Sequence, residues 1–505
     1  MQGTQQTGLF SQISLRFVGV ALLGMGVVML SSMFGCPSVA MGFCLGGHLL
    51  LGVSLLGGAQ RLWRSFGRKE PNLLPFQEAS SNKQRSCFCP LSRFRRDARA
   101  TLRDRGVHLV SRIHEVPNEA WDRLVPLRKM PMRTAFLEAL EQAPPDGLVG
   151  WRYVWWEEEG EMRAVAAFQL LEIPMDAVTS QIPAWLQSSL GGMVGMERRQ
   201  GDGAPIIRLL LCGNALSSGD FGFHADAGWG TERLLREIAQ VQEIIAQECA
   251  RDGRPVLWSG IKDLPSTMRP YAHTLEDIGM IAGHAEPVMA FSFDPAWRSF
   301  ADYQEAMASK YRQRLRAARK KGAALQRREL SLAALRDNQA VIQGLFEQVL
   351  SRAEFCMVRP NAAMLLRLKA ALGEDLIVQL YEVEGRPVGF LAGYRCGEIF
   401  EANWVGMDYE ANNPHCLYQN LLYDFVEIAF AWGCRGIDLG RTATEIKSCI
   451  GAEPEVMAFY LRAKGPILQR LLRTALSSIP SKEWVIRHPF RSETSVSSDS
   501  TSLSA

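Results

Sequence analysis

Between residues 17 and 60 the sequence has no charged side chain, which excludes an ordinary solvated surface for that stretch. Two apolar runs, 17–35 and 39–58, flank Cys36-Pro37-Ser38. A membrane-crossing helix needs about 20 apolar residues, so the lengths predict a transmembrane helical hairpin turning at Pro37. The apolar core of a cleaved signal peptide is shorter and would leave the second run unexplained. One long helix plus a re-entrant segment is the rival arrangement.

Other absences narrow the chemistry. The 11 cysteines include no Cys-x-x-Cys pair and show no metal-ligand spacing, so neither a metal site nor a disulfide framework is expected. No Gly-x-Ser-x-Gly, Walker A or His-Glu-x-x-His pattern occurs, which argues against a serine hydrolase, a P-loop enzyme or a zinc protease. His273 and Asp277 form His-x-x-x-Asp, one residue short of the glycerolipid acyltransferase spacing. Net charge is also small, at +3.

What charge there is sits unevenly. Residues 61–105 hold 12 Lys/Arg against 4 Asp/Glu, whereas residues 106–505 hold 43 against 49. Positive charge beside an apolar segment fits the cytoplasmic side of a membrane, by the bias of Lys and Arg toward that side. Both ends of the hairpin are therefore expected in the cytoplasm, with the body of the protein facing the cytoplasm at the inner membrane. The expected organisation is a hairpin (1–60), a basic linker (61–105), a first α/β unit (106–295), a basic helical connection (296–330), a second α/β unit (331–475) and a largely disordered tail (476–505).

The two units repeat one order of elements. The first has strands at 151–156 and 163–173 around Glu158-Glu159-Gly160-Glu161, then a strand at 207–212. A helix follows from Thr231, its expected N-cap, to about Arg251, stopping at Gly253, and a strand runs over 255–261. The second has strands at 376–383 and 388–395 around Glu384-Gly385-Arg386, and a strand at 399–405. Its helix covers 415–432, stopping at Gly433, and a short strand covers 436–439. Glycines in the hairpin turns and after the helices are what local geometry requires. Extra length in the first unit maps to a loop insertion around 174–203.

The connection reads as one basic helix, capped by Ser299 with Asp302 as reciprocal partner. Met307, Tyr311, Leu315 and Ala318 form its apolar stripe. Seven cations lie between Lys310 and Lys321, and no acid occurs from Lys310 to Arg328. Like charges at helical spacing repel, so Arg312, Arg316 and Lys320 are candidate ligands for an anion such as a phosphate, a pyrophosphate or a tRNA backbone. A solvated face and contact with lipid headgroups are the competing readings.

The most informative segment is 437–452. A buried strand ends at Gly440, and Thr442 with Glu445 forms a capping box for a short helix. Sites in α/β sheets gather beyond strand carboxyl ends and at helix N-termini, which marks Gly440, Arg441, Glu445 and Lys447. Asn403 and Trp404 end a neighbouring strand, and Asp408 begins the loop after it.

The run DLGRTATEIKSCIGAEP (438–454), preceded by SKYRQRLRAARKKG (309–322), resembles the GNAT-superfamily domain of Fem-type and peptidoglycan-biosynthesis-like acyltransferases, in particular the BioF2-like group. Glu119, Trp121, Asp122 and Leu124, with the run from Thr134 to Glu141, look like the opening of FemAB-like proteins. The resemblance covers roughly residues 107–475. It implies an α/β (α+β) fold of two tandem GNAT-like units with mixed central sheets flanked by helices. The implied chemistry is transfer of an acyl or aminoacyl group to an amine.

In Fem-type enzymes a lysine in the helix after this strand handles the transferred carbonyl, and Lys447 is the matching position. The aromatic before that lysine and the Gly-Phe after it are replaced here by Ile446 and Ser448-Cys449. The glycine-bearing pyrophosphate loop of GNAT enzymes is matched by residues 412–418, which contain no glycine. The donor thus stays open between acyl-CoA (acetyl-CoA), acyl carrier protein and aminoacyl-tRNA, with no metal. Lys447 is assigned to the oxyanion or carbonyl, and Glu445 or Asp408 to proton transfer. The expected partners are the lipid bilayer and a small-molecule or lipid-linked amine, such as a cell-envelope precursor. The reading from another class is a membrane-tethered, non-catalytic protein that holds tRNA or anionic lipid on the basic helix.

Overall fold

A computed structural model describes residues 102–174, 206–353, 356–478 and 484–491. The expected hairpin, nearly all of the basic linker and the loop insertion at 175–205 lie outside the described residues. All described residues belong to one compact unit, Cys87–Ala505.

The first half runs β1 (Val107–Val110), α1 (Asn118–Leu124), α2 (Thr134–Gln142), β2 (Leu148–Glu158), β3 (Glu161–Pro174) and β4 (Ile206–Cys212). It continues with β5 (Phe223–Ala225), α3 (Thr231–Arg251), β6 (Trp258–Leu264), α4 (His273–Asp277), β7 (Ile281–His284) and β8 (Val288–Ser292). The second half opens with α5 (Phe300–Ala306), α6 (Ser309–Lys321), β9 (Gln326–Glu329), α7 (Leu332–Asp337), α8 (Gln339–Leu350) and α9 (Ala362–Leu372). Then come β10 (Leu376–Val383), β11 (Arg386–Cys396), β12 (Ile399–Met407), α10 (Tyr409–His415) and α11 (Leu417–Ala431). The last elements are β13 (Gly436–Asp438), α12 (Thr444–Ser448), β14 (Glu453–Glu455), β15 (Ala458–Ala463) and α13 (Pro466–Ser477).

The hairpins β2–β3 and β10–β11 turn where the sequence placed them. Glu159 and Gly160 are both left-handed, as are Glu384 and Gly385, the twist a two-residue hairpin needs. The basic connection departs from expectation. Ser299 caps α5 as read, its Oγ accepting from the Asp302 N–H, but the helix breaks after Ala306 and α6 starts afresh at Ser309. Met307 and Leu315 are still buried. The N-cap of α3 is Gly230, with Thr231 as the first helical residue.

The two sheets have one strand order. The first is β1-β2-β3-β4-β6-β15-β7, with β5 added on β3, and the second is β9-β10-β11-β12-β13-β8-β14. In each, only one central pair is parallel, β4 with β6 and β12 with β13. Position for position the halves match, with one exchange: β8 of the first half completes the second sheet, and β15 of the second half completes the first. Residues 285–287 and 456–457 make these crossings directly. The sheets therefore do not divide at 295 and 331, where element order drew the units.

The halves also share a core. Trp121, Phe136 and Tyr153 of the first half and Phe346, Phe390 and Tyr394 of the second belong to one buried cluster, walled by α1, α2 and α7–α9. A second cluster lies on the other face of the second sheet, under α5, α6 and α11. Part of the segment expected as a disordered tail packs here: Phe490 stacks on Phe291 with ring centroids 5.3 Å apart.

Candidate active site

Strands β12 and β13 pair only over Ile399–Glu401 and Gly436–Asp438. Past that point they part for two local reasons. Leu439 and Gly440 stay with β8, through Leu439 N–H to Met289 O at 2.9 Å and Met289 N–H to Gly440 O at 3.0 Å. On the other side β12 bulges: Ala392 pairs with Trp404 and Tyr394 with Glu401, leaving Ala402 and Asn403 against Gly393 alone. A bulge bends its strand and re-aims a side chain. The result is a mouth whose corner residues are Glu401 and Asp438, set opposite one another.

Both carboxyls are buried, at 2% and 6% exposure, and both titrate high. Burial, then the neighbouring Asp438 charge, push the Glu401 carboxyl well above the usual range, against the pull of Arg128. Burial pushes Asp438 up to about 6, opposed by the Gly440 N–H, Arg128 and Lys447. The Gly440 N–H donates to Asp438 Oδ1 at 2.7 Å, and Arg128 Nη1 to Glu401 Oε1 at 3.0 Å. Two carboxyls at one site titrate as a pair, and such perturbed pairs mark functional sites.

The loop beyond Asp438 is tightly held. Gly440, Thr442 and Ala443 are all left-handed, an unfavourable state for the last two. The expected capping box does not form: α12 is preceded by Ala443, with no side-chain cap. Instead Lys447 braces the loop, donating to Arg441 O at 2.6 Å and Gly440 O at 3.5 Å. Lys447 is 5% exposed, and burial lowers its ammonium to about 8 against the opposing fields of Asp438 and Glu286. Arg441 reaches into the first half, to Asp263 and to the Glu286 carbonyl.

Asp263 also takes Lys262 and, at 2.9 Å, the Gly219 N–H. Burial alone would raise this carboxyl, but Lys262 and Arg441 outweigh it and hold Asp263 below the usual range. Ser217 lies beside them, its Oγ 3.0 Å from Tyr394 OH and accepting from Asn403 Nδ2 at 3.0 Å.

Of the residues singled out from sequence, the structure brings Asn403, Gly440, Arg441 and Lys447 to this mouth. Glu445 is turned outward, its side chain 58% exposed and paired with Arg487. Asp408 caps α10 and pairs with Arg386. Trp404 is buried, tilted against Tyr394. Arg312, Arg316 and Lys320 lie on α6, which packs with Ile437 and Phe400 on the opposite sheet face. Sequence reading missed Arg128, Ser217, Asp263, Glu401 and Asp438; an acid inside the apolar strand 399–407 was the available signal for Glu401. A cleft of about 600 Å³ lined by Arg269, His273 and His284 lies apart from this mouth.

Residues 412–418, which correspond to the pyrophosphate loop but lack its glycine, do not form a phosphate loop. Most of them are in α10, Cys416 is left-handed, and the Tyr418 N–H at the start of α11 is already bonded to Asn412 Oδ1 at 3.0 Å. The Tyr418 N–H is thus occupied by the protein itself, and the stretch has no glycine, so it does not have the form of the ordinary coenzyme cradle.

Residues 309–448 match the family model "Acetyltransferase (GNAT) domain". No curated protein matches the sequence. Among solved structures it is similar to FemX, at 12% identity and TM-score 0.45, over 71% of this chain and 98% of that one. It is also similar to a tandem GNAT protein from the clavulanic acid biosynthesis pathway, at 12% identity and TM-score 0.42, over 71% and 99%. L-PGS from Bacillus licheniformis follows at 11% identity and TM-score 0.35, over 70% and 97%.

Proposed function

We propose that the chain transfers an acyl or aminoacyl group from an activated donor to an amine, at the mouth between β12 and β13. The observation that carries this is the Glu401–Asp438 pair. An amine must lose a proton as its nitrogen forms the new C–N bond and the donor's C–S or C–O bond breaks. A carboxylate with a pKa near 6 is ionised at neutral pH and close enough in basicity to receive that proton. Asp438 takes this role, in place of Glu445 and Asp408, which the fold turns elsewhere. Glu401, whose carboxyl burial pushes well above the usual range, lies beside Asp438, and the leaving group takes a proton from solvent. Lys447 acts through the backbone, holding Gly440 and Arg441 in place.

Residues 17–60 would anchor the protein at the cytoplasmic face of the inner membrane, which suits a lipid-linked amine as acceptor. Arg316 and Lys320 are exposed, and the capped Tyr418 amide favours a donor other than a coenzyme thioester, an aminoacyl-tRNA among them. The same two observations favour the second reading, a tethered protein that binds tRNA or anionic lipid without turnover.

The test uses full-length protein with acetyl-CoA, acetyl-acyl carrier protein and aminoacyl-tRNA, each against a panel of primary amines, with products read by mass spectrometry. Product from one donor, lost in Asp438→Asn, is the expected result. No product from any donor, with salt-sensitive tRNA or vesicle binding unchanged in Asp438→Asn, establishes the second reading instead.

A further inference from the structure

Because the sheets match strand for strand, the last paired residues before each mouth correspond. In the second half they are Glu401 and Asp438; in the first they are Cys212 and Ile261. Two residues further on, Gly440 corresponds to Asp263, and both are left-handed, at φ 67° and 56°. The first half thus keeps the bend but has apolar side chains, both fully buried, where the second has carboxylates. Burial drives the Cys212 thiol far up, so it supplies no base.

The first half's mouth is also shut. A Cβ on Gly213 would lie 2.8 Å from Lys262 Cβ, so the strands are still in contact there. Lys262 Nζ donates to Ser217 O at 2.9 Å, and the Gly219 N–H to Asp263 Oδ2 at 2.9 Å. Ala167 N–H bonds Gly222 O at 2.9 Å, bringing the chain back to its own sheet. Residues 213–222 therefore fold over the end of β4 and β6. From this closed loop Ser217 reaches the second half, where its Oγ accepts from Asn403 Nδ2. An amide whose nitrogen is held presents its oxygen on the other side, and Asn403 sits on the bulge at the open mouth.

We infer that the described residues hold one transfer site, and that the first half is the wall of that site: loop 213–222 closes the first mouth, and Ser217 holds Asn403 Oδ1 toward the acceptor amine. The part about Asn403 rests on the acyl-transfer reading; the closure does not. Ser217 is a positioning residue, acting through Asn403.

Two measurements on the full-length protein separate these. Amide hydrogen exchange read by mass spectrometry should show 213–222 protected like β4 and β6, with Asp263→Asn releasing both 213–222 and 439–443. Open-chain exchange of 213–222 in the wild type overturns the closure and leaves the transfer reading intact. Kinetics then use acetyl-CoA or aminoacyl-tRNA, whichever the amine panel shows to be turned over. Ser217→Ala should raise the acceptor KM at least tenfold with the donor KM unchanged, and Ser217→Thr should restore it. Glu401→Gln combined with Asp438→Asn should lower turnover by about 10²–10⁴-fold, as expected for loss of the base. An equal change in both KM values, no change in either, or turnover within about tenfold of wild type in the double variant overturns the inference. Absence of turnover with every donor in the wild type overturns the transfer reading and the role of Asn403, while the exchange result still decides the closure.

Discussion

Glu401 and Asp438 face each other across β12 and β13 as the last paired residues before the strands part. They are 37 positions apart in the chain and both buried. Burial raises the cost of ionising both, and the Asp438 charge adds to that cost for Glu401.

Catalysis should therefore depend on pH through Asp438. With its carboxyl at about 6, kcat/KM should rise with pH and level off above roughly pH 7. Asp438→Asn keeps the shape and removes the base, so the rate should fall by about 10²–10⁴-fold and the inflection near 6 should vanish. An inflection that persists in Asp438→Asn would assign it to another group.

Lys447 gives a stability signature of opposite sign. Its pKa falls from 10.5 unfolded to about 8 folded. Below 8 both states are charged and the folded state bears the full burial cost. Between 8 and 10.5 only the unfolded state stays protonated, so stability should rise with pH across that window. For Asp438, raised from 3.8 to about 6, the folded state holds the proton longer, and stability should fall from about pH 4 to 6. Thermal melts from pH 7.5 to 10 should show the rise in wild type and its loss in Lys447→Met.

How far the sequence carried is clear from particular elements. The hairpins were legible because Glu159-Gly160 and Glu384-Gly385 encode their turns locally. Gly440, Arg441 and Lys447 were legible because they follow a buried strand in one short run. The strand exchange was not, because 288–292 and 458–463 are short strands that the sequence reading did not assign, and only long-range pairing decides which sheet takes them. Glu401 and Asp438 become a pair only through register, and Arg128, Ser217 and Asp263 join them from the other half of the chain. The capping box failed because two left-handed residues, Thr442 and Ala443, replaced the cap with a loop braced by Lys447.

The exchange makes the halves interdependent. A fragment beginning at residue 296 lacks β8, which lies between β13 and β14, and would expose their unpaired edges. That fragment alone should lack a cooperative thermal transition. Co-expression with residues 1–295 should restore one and yield a complex that copurifies. A cooperative melt of the fragment alone would show that β8 is dispensable.

The basic helix α6 separates into two kinds of cation, which substitution should distinguish. Arg319 pairs with Asp424, which is 4% exposed at its side chain, and with Glu427 at 2.9 Å. Asp424 is further held by Arg327 at 2.7 Å and by Tyr381 OH. Removing one partner of a buried ion pair costs about 3–5 kcal/mol; because Arg327 remains beside Asp424, Arg319→Ala should fall toward the lower end, a clear loss in Tm. Arg316 and Lys320 are exposed, and surface substitutions of this kind usually change stability by less than about 0.5 kcal/mol. The double variant Arg316→Ala, Lys320→Ala should therefore melt like wild type. If these two hold a phosphate backbone, the same variant should weaken tRNA binding and flatten its salt dependence, since each neutralised phosphate contact contributes to that slope. Unchanged tRNA affinity and slope would make this face of α6 a solvated surface.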